Sequence, residues 1–153
     1  HLADFRRALG EVTQDLAIQI VRDGEGAQKL ITIEVTGATS NVAARKIGLS
    51  IANSPLVKTA AAGGDPNWGR LVMAVGKAGQ KADRDLLSVS IGGVPVTENG
   101  QLRADYDEAR AEAHMAGQEI HFGVDIGLGR GHARVWTCDL THGYITINAD
   151  YRT

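Results

Sequence analysis

Residues 63–69 read Gly-Gly-Asp-Pro-Asn-Trp-Gly, and no other stretch of this chain restricts its own backbone as strongly. Three glycines open positive φ, Pro66 fixes one φ, and Asp65 and Asn67 can bond their own backbone, so a tightly specified turn is expected. Trp68 needs a wall for its ring, supplied by another element or another subunit. Upstream, residues 54–59 form a short apolar segment that passes Lys58 and Thr59. Both are candidates to line a pocket, and a buried lysine there is costly unless paired. Downstream, residues 71–75 read as a short, fully buried strand. The turn itself reads as a rigid corner, with Trp68 as packing anchor and Arg70 as a partner for Asp65.

The rest of the chain alternates helical and extended patterns. Leu2, Phe5, Leu9, Val12, Leu16 and Ile20 recur at spacings of three and four, which predicts a helix over 3–22, with Gly24 as its left-handed C-terminal residue. A strand follows at 29–36, with Ile31, Ile33 and Val35 on one face and Thr32, Glu34 and Thr36 on the other. A second helix starts at Ser40 or Asn41 and runs to about Asn53, where Pro55 ends it. Residues 77–85 are a polar connection, 87–91 a strand, and Gly92-Gly93 a turn into Val94-Pro95-Val96. A helix is expected over 105–117 with Tyr106, Ala109, Ala113 and Ala116 inward. Strands at 119–126, 132–139 and 144–149 close the chain, joined by connections short enough for hairpins. The fold class is α+β, with mostly antiparallel strand pairing and packed helices, in one compact unit spanning 1–153.

Composition excludes several classes of function. A net charge of −2 with no basic cluster argues against binding nucleic acid or an acidic membrane. The single cysteine, Cys138, cannot form an internal disulfide, and no apolar run is long enough to span a bilayer, which favours a cytoplasmic home. Cys138 itself reads as strand filler. Gly127, Gly129 and Gly131 imitate a dinucleotide loop, but an alternating strand follows them where that motif needs a helix. His1, His114, His121, His132 and His142 show no metal-ligand spacing, so no metal site is expected.

Two polar residues stand out physically. Glu25 lies between Gly24 and Gly26, just past a helix C-terminus, where the macrodipole disfavours an acid by about 0.3–1 kcal/mol. A plain turn residue is one reading of it, and a side chain aimed at a ligand is the other. On the last predicted strand, Ile145 and Ile147 face one way while Thr146 and Asn148 face the other. Asn148 is therefore presented as donor and acceptor to a ligand, or to solvent at an ordinary sheet edge. Thr153 follows at the end of the chain.

Three runs, Val21-Arg22-Asp23-Gly24-Glu25-Gly26-Ala27, the 54–70 run ending in Gly-Gly-Asp-Pro-Asn-Trp-Gly-Arg, and Ile147-Asn148-Ala149-Asp150-Tyr151-Arg152-Thr153, occur in this order. Together they resemble the ornithine acetyltransferase (glutamate N-acetyltransferase) family of arginine biosynthesis. The chain is similar to the C-terminal part of that family's β chain. The resemblance implies a larger N-terminal-nucleophile-like α/β sandwich enzyme that moves the acetyl group of N-acetylornithine to glutamate without a cofactor. Whether acetyl-CoA serves as a second donor is left open. It implies self-cleavage before a threonine that becomes the nucleophile and the β chain's first residue. It also implies an α2β2 assembly with the α chain and the rest of the β chain.

This chain starts at His1 and lacks the threonine segment, so no catalytic residue is expected within it, and alone it is expected to be inactive. The resemblance assigns substrate binding to Glu25, in contact with the substrate's ammonium group, and to Asn148 and Thr153. Arg152 departs from the threonine or serine usual there and carries no role. An amidase or aminopeptidase of related N-terminal-nucleophile architecture, or a non-catalytic amino-acid-binding or assembly module, are the alternatives.

Overall fold

A computed structural model describes residues 1–150. Among them the strands form one six-stranded sheet in the order β4-β3-β2-β5-β1-β6. The central strand β1 (Leu30–Ala38) is laid down by its alternation: Ile31, Ile33 and Val35 are fully buried on one face, while Glu34 and Thr36 stand exposed on the other. β1 runs parallel to β5 (Glu119–Asp125) and antiparallel to β6 (Gly131–Cys138). Beyond β5 come β2 (Ser88–Ile91), β3 (Val94–Glu98) and the short β4 (Gln101–Leu102), all antiparallel. The α+β class with a mostly antiparallel sheet is therefore observed.

The apolar face of the sheet is covered by helices. α2 (Asn41–Ala52) begins at Ser40, whose hydroxyl accepts from the Ala43 N–H, and lies across β1 and β6. It approaches closely because Ala43, Ala44 and Gly48 face the sheet; a Cβ on Gly48 would stand 2.8 Å from Val135 Cγ2. Ile47 and Ile51 complete this stripe at full burial, each contributing about 1.5–3 kcal/mol. α3 (Pro55–Gly63), α4 (Trp68–Gly76) and α5 (Glu108–Met115) extend the same layer with Val57, Ala61, Leu71, Ala74, Val75, Ala111 and Met115. The first helix, α1 (Leu2–Arg22), is different. Its stripe of Leu2, Phe5, Leu9, Val12, Leu16 and Ile20 is exposed, and its C-terminal end is tied down by Arg22 Nη2 to Glu119 Oε1 at 2.6 Å.

Several expectations are corrected. Residues 71–75 are helical, within α4, because Asn67 caps that helix and Leu71, Ala74 and Val75 share one face; a short apolar run does not distinguish strand from helix. Pro55 opens α3 at its first turn in addition to following α2, with Ser54 as N-cap and Gly64 (φ 72°) as left-handed C-cap. α5 starts later than expected, because Asp107 accepts from the Arg110 N–H, and Ala111 and Met115 face the core instead of Ala109, Ala113 and Ala116.

The last predicted strand is helix α6 (His142–Asp150). Nor are β5 and β6 a hairpin: β1 lies between them, and the connecting Leu128 and Gly129 N–H groups cross over its end to the Gly37 carbonyl. Arg70 does not pair with Asp65. Its Nη1 donates to the Leu56 carbonyl at 2.7 Å and to Thr59 Oγ1 at 3.2 Å, while Asp65 accepts from Asn67. Trp68 is half-buried against the core, as its ring requires.

Candidate functional site

Glu25 sits in the turn between α1 and β1. α1 ends at Arg22, and the Ala27 N–H closes the turn onto the Gly24 carbonyl at 2.9 Å. Gly26, with φ 70°, takes the left-handed conformation that was expected at Gly24. Gly24 is needed for closeness instead, since a Cβ there would be 3.1 Å from Cys138 Sγ. Immediately beyond the turn, Asp139 Oδ1 accepts from the Gln28 N–H at 2.8 Å and the Lys29 N–H at 3.0 Å. Asp139 is only 3% exposed, so these bonds hold the start of β1 against the end of β6 out of reach of water. Lys29 Nζ donates to the Ala61 and Met115 carbonyls, at 2.9 and 2.7 Å, near the C-terminal ends of α3 and α5, where a cation is favoured.

Asn148 comes to Glu25 from 123 residues away. Its Nδ2 donates to Glu25 Oε2 at 2.7 Å and to the Tyr144 carbonyl at 2.9 Å. The strand geometry expected for Asn148 is thus replaced by a helical one, in which it lies one turn above Tyr144 on α6. The replacement changes its chemistry. With both amide N–H groups committed, Asn148 offers a ligand its Oδ1, and Glu25 offers the carboxylate. This is a set of acceptors with a negative charge, suited to a donor-only cation such as an ammonium and unsuited to a carboxylate. Thr153 lies outside the described residues.

The two supporting segments also wall a cavity of about 680 Å³, lined by Gly26, Gln28, Thr59, Leu140, Thr141 and Gly143 among others. Thr59, one of the two candidates, is among the residues lining this cavity. Lys58 is half-buried instead, with its Nζ 3.9 Å from Cys138 Sγ. Sequence reasoning missed Asp139 and Thr141. Asp139 carried a faint signal, a carboxylate ending an alternating strand. Thr141 carried one as well, standing directly before a Gly-containing segment, the place of a helix cap. His114 and His121 come together, with the His121 N–H donating to His114 Nε2 at 2.9 Å. Among the described residues no group of His, Cys, Asp or Glu is arranged to hold a metal, and no helix is long and apolar enough to cross a membrane.

The structure is thus a helix-covered α+β unit in which an exposed carboxylate and an amide from distant segments meet at one corner. The chain belongs to the ArgJ family, which it matches over residues 1–153. It is 62% identical over 152 residues to the arginine biosynthesis bifunctional protein ArgJ of Gluconobacter oxydans (strain 621H), covering 99% of this chain and 36% of that protein. It is also 62% identical over 149 residues to the same-named protein of Zymomonas mobilis subsp. mobilis, again 36% of its length. The crystal structure of arginine biosynthesis bifunctional protein ArgJ from Bacillus halodurans superposes with a TM-score of 0.94 at 39% identity, over 97% of this chain and 70% of that one. The chain thus spans little more than a third of the length of the curated relatives it matches.

Proposed function

We propose that this chain is the C-terminal part of the β chain of an acyltransferase that moves the acetyl group of N-acetylornithine to glutamate. Within it, Glu25, Asn148 and Thr153 bind the substrate. The observation that carries this reading is the Glu25–Asn148 hydrogen bond at 2.7 Å, made between distant segments and, among the described residues, leaving the pair's acceptor oxygens for a ligand. N-acetylornithine has its α-nitrogen acylated, so its one charged amine is that of the side chain. That ammonium is the group Glu25 and Asn148 Oδ1 receive.

The chemistry lies outside this chain. A threonine hydroxyl, freed by self-cleavage and with its own amine as base, attacks the acetyl carbonyl. The tetrahedral intermediate is held by oxyanion donors and collapses to an acyl-enzyme as ornithine leaves with the proton. The glutamate amine then attacks the acyl-enzyme, restoring the hydroxyl and giving N-acetylglutamate. No cofactor enters either half. The residues of this chain hold the substrate still, which can be worth several kcal/mol of the barrier when the geometry is right. The word bifunctional in the relatives' names fits acetyl-CoA as a second donor. The assembly is an α2β2 heterotetramer in the cytoplasm, and the rest of the protein covers the exposed stripe of α1.

Purified complete protein given N-acetylornithine and glutamate tests this. Ornithine and N-acetylglutamate should appear in equal amounts. Release of free acetate instead would favour an amidase, and no turnover with these substrates would remove the reading.

A further inference from the structure

We propose that Thr141 is a positioning residue that sets the separation of Glu25 and Asn148, and through it the grip on the substrate's ammonium. This rests on reading that pair as the substrate site. The Thr141 hydroxyl is a junction between the two supports. It donates to the Gly26 carbonyl at 2.6 Å, one residue past Glu25, and accepts from the Gly143 N–H at 3.2 Å, in the first turn of the helix that carries Asn148. The Thr141 carbonyl also accepts from the Tyr144 N–H at 3.2 Å. Tyr144 is the same residue whose carbonyl receives the second amide proton of Asn148.

The hydroxyl keeps the turn and the helix from separating. Two glycines let them come this close and stop them coming closer. A Cβ on Gly143 would stand 3.3 Å from Gly26 Cα and 3.2 Å from Thr141 Oγ1, and one on Gly26 would run into Gly143 and the Tyr144 nitrogen. Asp139, buried two residues earlier, pins the far side of the same turn through Gln28 and Lys29. The acceptors are thus held on two backbones whose spacing this hydroxyl helps to set, beside the Asp139 bonds and the Gly26–Gly143 contact. That spacing matters because an ammonium bonds both Glu25 and Asn148 only when each lies within about 2.7–3.2 Å of it.

The test uses the complete protein, with N-acetylornithine as the varied substrate and melting temperature recorded for every variant. Thr141→Val removes the hydroxyl at nearly constant shape and should raise KM roughly tenfold with a much smaller change in kcat. Thr141→Ser should restore wild-type kinetics. Gly143→Ala favours the helix while pressing on the Gly26 contact, so it should raise KM several-fold without lowering Tm; it also decides the matter if Thr141→Val does not fold. In a Glu25→Gln background, Thr141→Val should add no further rise in KM.

Unchanged KM in both Thr141→Val and Gly143→Ala, or losses that follow Tm alone, would overturn the positioning role. So would effects of Thr141→Val and Glu25→Gln that simply add. If Glu25→Gln by itself leaves KM unchanged, the substrate-site reading is what fails.

Discussion

Glu25 keeps an exposed carboxylate just beyond the end of α1, a place the helix dipole disfavours, and takes a hydrogen bond from a neutral donor, Asn148. Its charge therefore remains available to a cation. Glu25→Gln should cost about 1.5–3 kcal/mol in kcat/KM for N-acetylornithine, measured as initial rates on the complete protein. N-acetylnorvaline, whose side chain has no amine, should be used equally by wild type and variant. Equal losses with both compounds would place the effect in the fold instead.

His114 carries a second prediction at this scale. Burial first, and the neighbouring His121 second, hold its pKa below the ordinary value of 6.5, and its Nε2 must stay unprotonated to accept from His121. At this group the unfolded state binds more protons than the folded one just below the ordinary value of 6.5, so its contribution to stability rises with pH there and is lost as the pH falls. Denaturant titrations at about pH 7.5 and about pH 5.5 should show this loss, and His114→Gln, which can accept the same bond without titrating, should reduce it. An undiminished loss in the variant would assign the effect to other groups.

Elements whose sequence pattern answers to a single surface were legible. α1, β1, α2, β5 and β6 lie close to where periodicity placed them, since each has one apolar face or stripe and β1 alternates strictly. α4 and α6 were not legible by periodicity. Leu71 to Val75 is apolar throughout, and Ile145, Thr146 and Ile147 are β-branched residues that become a helix in which both isoleucines are exposed. Their cap residues carried the missing information: Ser54 before Pro55, Asn67 before Trp68, and Thr141 before α6. The convergence of Glu25 and Asn148 was anticipated by resemblance alone. The acceptor-only character of the pair was not, because it depends on Asn148 being helical. Asn67→Ala, which removes the α4 cap, should lower stability by about 0.5–2 kcal/mol in a urea titration. No change would mean the Asp65–Arg70 corner is held by Pro66 and Trp68 packing alone.

The chain as a whole leaves a large apolar stripe exposed. α1 exposes six large apolar side chains in a stripe, and the sheet face away from α2 carries Thr32, Glu34, Ser90, Arg134 and Trp136 around an open groove that α1 walls with Gln14, Ile18 and Arg22. With roughly two-thirds of the relatives' length outside this chain, the remainder of the protein is the proposed cover. The isolated chain should therefore self-associate. Leu9→Glu together with Leu16→Glu should abolish that in size-exclusion chromatography, while a monomeric wild-type chain would argue against it. The isolated chain should also give no acetyl transfer at enzyme-like rates.

The proposed site stands or falls on whether the two acceptors joined across 123 residues receive an amine. A crystal structure of the complete protein with ornithine bound tests it most directly. The side-chain ammonium should lie within about 2.7–3.2 Å of both the Glu25 carboxylate and Asn148 Oδ1. Ornithine seated elsewhere, with the Glu25–Asn148 bond undisturbed and facing no ligand, would contradict it.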